Sequence, residues 1–162
     1  TMADMLWNVF DPGAVLPRDP ATVSIDLTAM VTPFINLLDS DAMEAMGDDV
    51  PGELNAVTLE ELEISAAGSQ LTGSGAFTFD NTDLQSFDGM PKPSGEVTLR
   101  VSGHNTLIDK LIQMGLLTEE DAMGARMMLS MFTVPGSAPD TATSTIEINE
   151  QGHILANGQR IQ

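Results

Sequence analysis

The side chains able to do chemistry in this chain are few and poorly placed for it. His104 and His153 lie in separate turn-like stretches with no thiolate or second imidazole at the spacing of a tetrahedral zinc site. A zinc centre would have to recruit carboxylates from elsewhere. The run DNTDLQSFDG, residues 80–89, has the acidity of a calcium loop, but Thr82 and Leu84 stand where an EF-hand carries its third- and fifth-position oxygen ligands. It reads instead as a solvated loop with Asp and Asn in turn positions. Ser74, between Gly73 and Gly75, lacks the five-residue nucleophile elbow and sits in a strand pattern. Its glycines suit a bend or a close backbone approach. No glycine loop has the strand-to-helix setting that cradles phosphate. With no cysteine in the chain, thiolate nucleophiles and disulfides are also excluded. These readings predict a non-enzymatic protein with no catalytic residues, no metal site and no cofactor.

What remains is a binding surface. The segment DAMGARMMLSMF, residues 121–132, places Met123, Met127 and Met131 at four-residue intervals on one helical stripe, and Met128, Leu129 and Phe132 widen it. Thioether side chains are flexible and polarizable, so they adapt to apolar surfaces of imprecise shape. Met123, Met127, Met128, Met131, Leu111 and Phe132 are therefore the candidate ligand-binding residues, expected to line a space between this helix and a sheet. The competing expectation is that the same residues fill a closed, dry core. Gly124 favours a close helix contact, since glycine within an exposed helix costs ~1 kcal/mol relative to alanine.

The elements that must position this stripe are legible in the periodicities. MADMLWNVF is a short helical or extended lead-in that ends at the Asp11-Pro12-Gly13 turn. TVSIDLTAMV alternates Val23, Ile25 and Leu27 against Ser24, Asp26 and Thr28, the period of a strand with one wet face. Pro33 opens a new element, and residues 34–46 carry helical spacing with Gly47 placed to stop the helix. Residues 54–64 alternate with a phase shift at Glu60-Glu61 that predicts a bulge or a local change of face. Across Ala67-Gly68-Ser69 the pattern resumes in QLTGSGAFTFD, which predicts a hairpin. GEVTLRVSG closes a meander. A helix over 106–115 follows, ended by Gly115, and then a second over 119–132 with Thr118 as its cap and Glu119, Glu120 and Asp121 in its first turn. TSTIEINEQGHILANGQRI supplies a final strand pair with turns at Gln151-Gly152 and Asn157-Gly158.

The charge narrows the partners. Against 24 acidic residues stand Arg18, Lys92, Arg100, Lys110, Arg126 and Arg160, scattered without clustering, for a net charge of -18. Nucleic acid and anionic membrane surfaces both need clustered cations, so neither is expected as a partner. No apolar run approaches the ~20 residues of a membrane-spanning helix, and the chain opens at Thr1 without a basic, then apolar, signal pattern. Aromatics make up only 4% of the residues, so the core must be aliphatic and thioether. A single domain of this length can bury roughly 70% of the surface its unfolded form exposes.

The segments FDPGAVLPRDPATVSIDL, LTGSGAFTFDNTDLQSFDGMPKPSGEV, MGLLTEEDAMGARMMLSMFTVPG and LANGQRI together resemble domain-of-unknown-function family 2125, an uncharacterised family of alphaproteobacterial envelope proteins. Its members are usually longer and begin with a secretory signal. The resemblance thus implies a periplasmic protein of which residues 1–162 form the C-terminal portion, and it offers no catalytic residues to transfer.

The expectation is one α+β domain: a twisted, mainly antiparallel sheet of about five to seven strands packed on a helical hairpin and one further helix. Its expected function is non-enzymatic binding of an apolar, lipid-like ligand or envelope partner between sheet and methionine helix. The alternative is a structural or protein-interaction module with a closed core and no small-molecule ligand.

Overall fold

A computed structural model describes residues 2–36, 38–46 and 52–162. Helix α1 (Met2–Phe10) leads into strand β1 (Thr22–Pro33), followed by α2 (Ser40–Met46), β2 (Gly52–Ala66), β3 (Ser69–Asp80) and β4 (Lys92–Ser102). The helical hairpin α3 (His104–Gln113) and α4 (Glu119–Phe132) comes next. The chain then ends in β5 (Val134–Pro135), β6 (Thr141–Ile148), β7 (Ile154–Ala156) and β8 (Gln159–Arg160). All eight strands join one antiparallel sheet in the order β1-β2-β3-β4-β6-β7-β8. The far edge of β6 is shared, β5 taking Ala142 and Thr143 and β7 taking Ile146 to Ile148. The α+β class is as expected, with more strands than periodicity predicts because β5 and β8 are too short to show a period.

Turn chemistry fixes the meander. Ala67 and Gly68 both have positive φ, as a tight two-residue hairpin turn requires, and Asn157 and Gly158 repeat this between β7 and β8. The phase shift at Glu60-Glu61 is a β-bulge: Asp26 pairs with Glu61 and Leu27 with Leu59, leaving Glu60 as the extra residue. The backbone comes close at Gly75, where a Cβ would lie 2.5 Å from the Glu96 carbonyl oxygen. At Gly73 a Cβ would meet the Leu99 side chain at 2.6 Å.

The expected helix over 34–46 is shorter than its spacing suggests. Pro33 ends β1 instead of opening a helix, and Asn36 Oδ1 accepts from the Leu38 N–H at 3.0 Å. Asp39 Oδ1 then accepts from the N–H groups of Asp41 and Ala42, so helix begins only at Ser40. Asn36 competes with helix by bonding its own backbone, and Asp39 acts as the cap of the shorter helix. The stop expected at Gly47 lies outside the described residues.

The lead-in is organised by a buried acid. Asp11 is only 1% exposed and accepts from the N–H groups of Val15 and Leu16, both at 2.9 Å. Burial alone would raise its pKa, but these two N–H groups and the Arg18 guanidinium hold the carboxyl below its ordinary value. Arg18 also sits 5.9 Å from the centre of the Trp7 ring, and Pro17 lies against Gly68 of the β2–β3 turn.

Residue pairings across the sheet put most of its apolar side chains on one face. Val23, Ile64, Leu71, Val101 and Ala142 form one row from β1 to β6. Leu27, Leu59, Gly75, Val97, Ile146 and Ala156 form another. The opposite face carries Thr, Ser and acids, among them Thr98 and Thr145, whose hydroxyls lie 3.2 Å apart.

The helical hairpin is tied to the sheet by a cap supplied from outside it. Gly103, which precedes α3, offers no side chain, and Asp140 at the entry to β6 takes its place. Its carboxylate accepts from the N–H groups of Asn105 at 2.9 Å and Thr106 at 3.0 Å, and from the Thr106 hydroxyl at 2.7 Å. Burial pushes the Asp140 pKa up, but these donors and neighbouring His104 more than offset it, so the carboxyl titrates below its ordinary value. Asp140→Ala should cost about 1–2 kcal/mol in urea unfolding at neutral pH, the usual range for a lost cap. With the folded pKa depressed, this contribution is present above the unfolded value of about 3.9 and is lost as the pH falls through the folded value. The stability gap between wild type and variant should therefore shrink on acidification to pH 3; a gap constant from pH 7 to pH 3 would contradict the assignment.

Candidate functional site

The methionine helix turns its thioethers away from the sheet. Along α4, buried Ala122 and half-buried Ala125, Arg126 and Leu129 recur at three- and four-residue spacing and form the inner stripe. Met123, Met127, Met128 and Met131 occupy the opposite side and are between 62% and 70% exposed. The expectation that they line a space beneath the sheet, or fill a dry core, is overturned. Of the other candidates, Leu111 is half-buried and Phe132 is exposed. Gly124 makes no close helix contact, since a Cβ there would meet nothing within 4 Å.

Small and polar residues hold α4 in this orientation. Arg126 donates to Asn105 Oδ1 at 3.1 Å and to Asp109 Oδ1 at 2.6 Å, clamping α4 to α3. The Thr118 hydroxyl accepts from the Asp121 N–H at 3.1 Å, as its position before Glu119 predicts. At the other end Asn157 Nδ2 donates to the Phe132 carbonyl at 2.9 Å, while Asn157 Oδ1 accepts from the Thr145 N–H at 2.9 Å. One asparagine of the β7–β8 turn thus anchors the helix C-terminus to β6. The Asn-Gly dipeptide signals that turn, but nothing in the sequence signals its reach to α4.

Between α4 and the sheet lies a cleft of about 390 Å³, lined by His104, Asn105, Arg126, Leu129, Asp140 and Ala142 among others. Its polar groups are largely engaged in structure. Asp140 caps α3 and Arg126 bridges the two helices. His104 Nδ1 is buried without a hydrogen-bond partner and lies 3.4 Å from Asp140 Oδ1. Leu129 is the one large apolar side chain in the cleft, which gives a lipid chain little to pack on.

The acidic loop between β3 and β4 spends its carboxylates on itself. Asp80 Oδ1 accepts from the Thr82 N–H and hydroxyl, and Asp83 accepts from the N–H groups of Gln85 and Ser86 and from the Ser86 hydroxyl. The Thr82 hydroxyl and N–H lower the Asp80 pKa, and Ser86 does the same for Asp83. Among the described residues, no three His, Asp or Glu side chains converge as metal ligands.

Among the described residues, the sheet face itself is an uncovered apolar feature. The helical hairpin shelters one end of it, where Ile108, Ala122, Ala142 and Ala156 are buried. At the other end Val23, Ile25, Leu27 and Val31 of β1 are 55% to 68% exposed. The whole chain exposes 11027 Å². A folded monomer of 17.2 kDa would expose roughly 7,800 Å² on the usual scaling. The sheet is a single layer over much of its width, and no helix among the described residues is long and apolar enough to cross a membrane.

Exposure of the thioethers has a direct chemical consequence. Mild peroxide should convert Met123, Met127, Met128 and Met131 to sulfoxides together and at rates close to that of an unstructured methionyl peptide, with little change in the unfolding midpoint. Protection of these four sulfurs by more than about tenfold would place them in a core instead.

No curated protein and no solved structure matches the chain. Residues 2–155 match a family described as an uncharacterized protein conserved in bacteria, DUF2125. The match spans the sheet from β1 into β7 together with the helical hairpin, and on it the chain is a member of the DUF2125 family.

Proposed function

We propose that this chain is a non-enzymatic protein-interaction module of the bacterial envelope, acting in the periplasm, whose half-covered apolar sheet face is completed by an apolar surface of a partner protein. The observation that carries this reading is the line of exposed Val23, Ile25, Leu27 and Val31 on the same face as the buried Ala142. Monomeric proteins rarely leave so long a contiguous apolar strip in water. The compartment rests on the resemblance to envelope proteins set out above.

A protein surface suits this face better than a lipid does. An acyl chain binds in a concave, mostly apolar pocket that surrounds it. The apolar rows here run across an open sheet, and the cleft beside α4 offers Leu129 as its one large apolar side chain. A second sheet or an amphipathic helix, by contrast, packs broadly on such a surface at about 10 Å. The exposed methionines of α4 add an adaptable flank to it.

The reading is tested by placing a photoreactive amino acid at position 25, on the apolar face, and separately at position 28, on the wet face, in the native envelope. A discrete protein adduct at 25 and none at 28 is expected, and Leu27→Ser should reduce that adduct at unchanged expression. Equal labelling at both positions, or adducts to lipid alone at 25, would overturn it. Saturable uptake of a fatty acid by delipidated protein, lost in Leu27→Ser, would favour the lipid reading instead.

A further inference from the structure

We infer that the free edge of β1 is an acceptor for an extended strand of a partner protein, one that alternates apolar residues with polar ones and carries a lysine or arginine beside Asp26. The two borders of the sheet differ. One ends in β7 and β8, of three and two residues, which blunts it. The other is β1, a strand of 12 residues whose outer backbone pairs with no other strand among the described residues. Each of its outward N–H and C=O groups is an unused ladder position.

β1 also carries few of the devices by which edges are protected, Asp26 being its one charge. No lysine or arginine occurs in Thr22–Pro33, and its only proline is the last residue. Both irregularities of the β1–β2 pairing place the extra residue, Glu60 or Asn55, in β2, so β1 keeps unbroken alternation. An added strand would bring its apolar residues beside Val23, Ile25 and Leu27, extending the rows of the apolar face by one position.

Charge selects among occupants. On the wet face Asp26 is paired directly with Glu61, and the neighbouring pair sets Ser24 against Glu63. Ser24 donates to Glu61 Oε1 at 3.2 Å, and no cation among the described residues forms an ion pair with Asp26. Like charges directly opposite each other are unfavourable, and a cation in the next strand relieves them. A second copy of this chain, which carries a net charge of -18 and no cation in its own β1, cannot supply that cation by pairing β1 with β1.

The inference uses the backbone of β1, whereas the proposed function uses the side chains of the face, so the two fail separately. The test is binding of synthetic peptides as long as β1 that alternate valine with threonine and one central lysine. Two further versions are N-methylated on one or the other alternate set of amides. Saturable binding is expected, with hydrogen-exchange protection confined to β1 amides. One N-methylated version should lose more than about tenfold in affinity and the other should retain it, because a strand pairs through one edge only. Asp26→Lys should weaken the lysine peptide by about two- to fivefold and favour its glutamate counterpart. No binding, equal loss with both methylated versions, or protection located on α4 would overturn the inference. So would a homodimer of the peptide-free protein that already protects β1. Loss of the position-25 adduct with peptide pairing intact would count against the face reading alone.

Discussion

The structure depends on the period of two in an antiparallel sheet. Successive side chains point to opposite faces, so once the Ala67-Gly68 turn and the bulge at Glu60 set the register, the branched aliphatic residues of β1 to β4 and β6 fall on one side. That side must be covered for the sheet to gain from its apolar content. The helical hairpin inserted between β4 and β6 covers the end it is connected to, and β1 lies beyond its reach. The result is a graded face, buried around Ala142 and wet around Leu27.

How the hairpin sits explains why it adds so little cover. The inner stripe of α4 carries Ala122 and Ala125, side chains too small to spread over neighbouring strands, with Leu129 as its one large apolar residue. Its orientation is set by polar links: Asp140 at the start of α3, Arg126 between the helices and Asn157 at the end of α4. Directional bonds decide which side of α4 faces the sheet, and the thioethers take the side left over. A helix with apolar residues over most of its circumference has no single inward face until such contacts choose one.

Local structure was legible in the sequence wherever one residue type has one physical role. The hairpin at Ala67-Gly68, the bulge at Glu60, the Thr118 cap and the turn at Asn157-Gly158 all follow from φ requirements or from the reach of a short side chain. The side of α4 that packs was not legible, because breadth of apolar surface does not distinguish the methionine stripe from the stripe of Ala122, Ala125 and Leu129 at the same helical spacing. Asp140 and Asn157 were hidden for another reason. Their partners lie 35 and 25 residues away, and no local pattern reports such bonds. The early part of the expected helix over 34–46 failed because Asn36 bonds its own backbone and Asp39 caps a helix that starts at Ser40, choices that apolar spacing does not register.

With the protein alone, β1 and the neighbouring part of the sheet face stand in water. Carbene footprinting of the isolated chain, at a concentration where sedimentation shows a monomer, tests it most directly. Val23, Ile25 and Leu27 should label heavily while Ile108 and Ala142 stay protected. Equal protection of both groups in the monomer would mean that the face is already closed, and the account would be wrong.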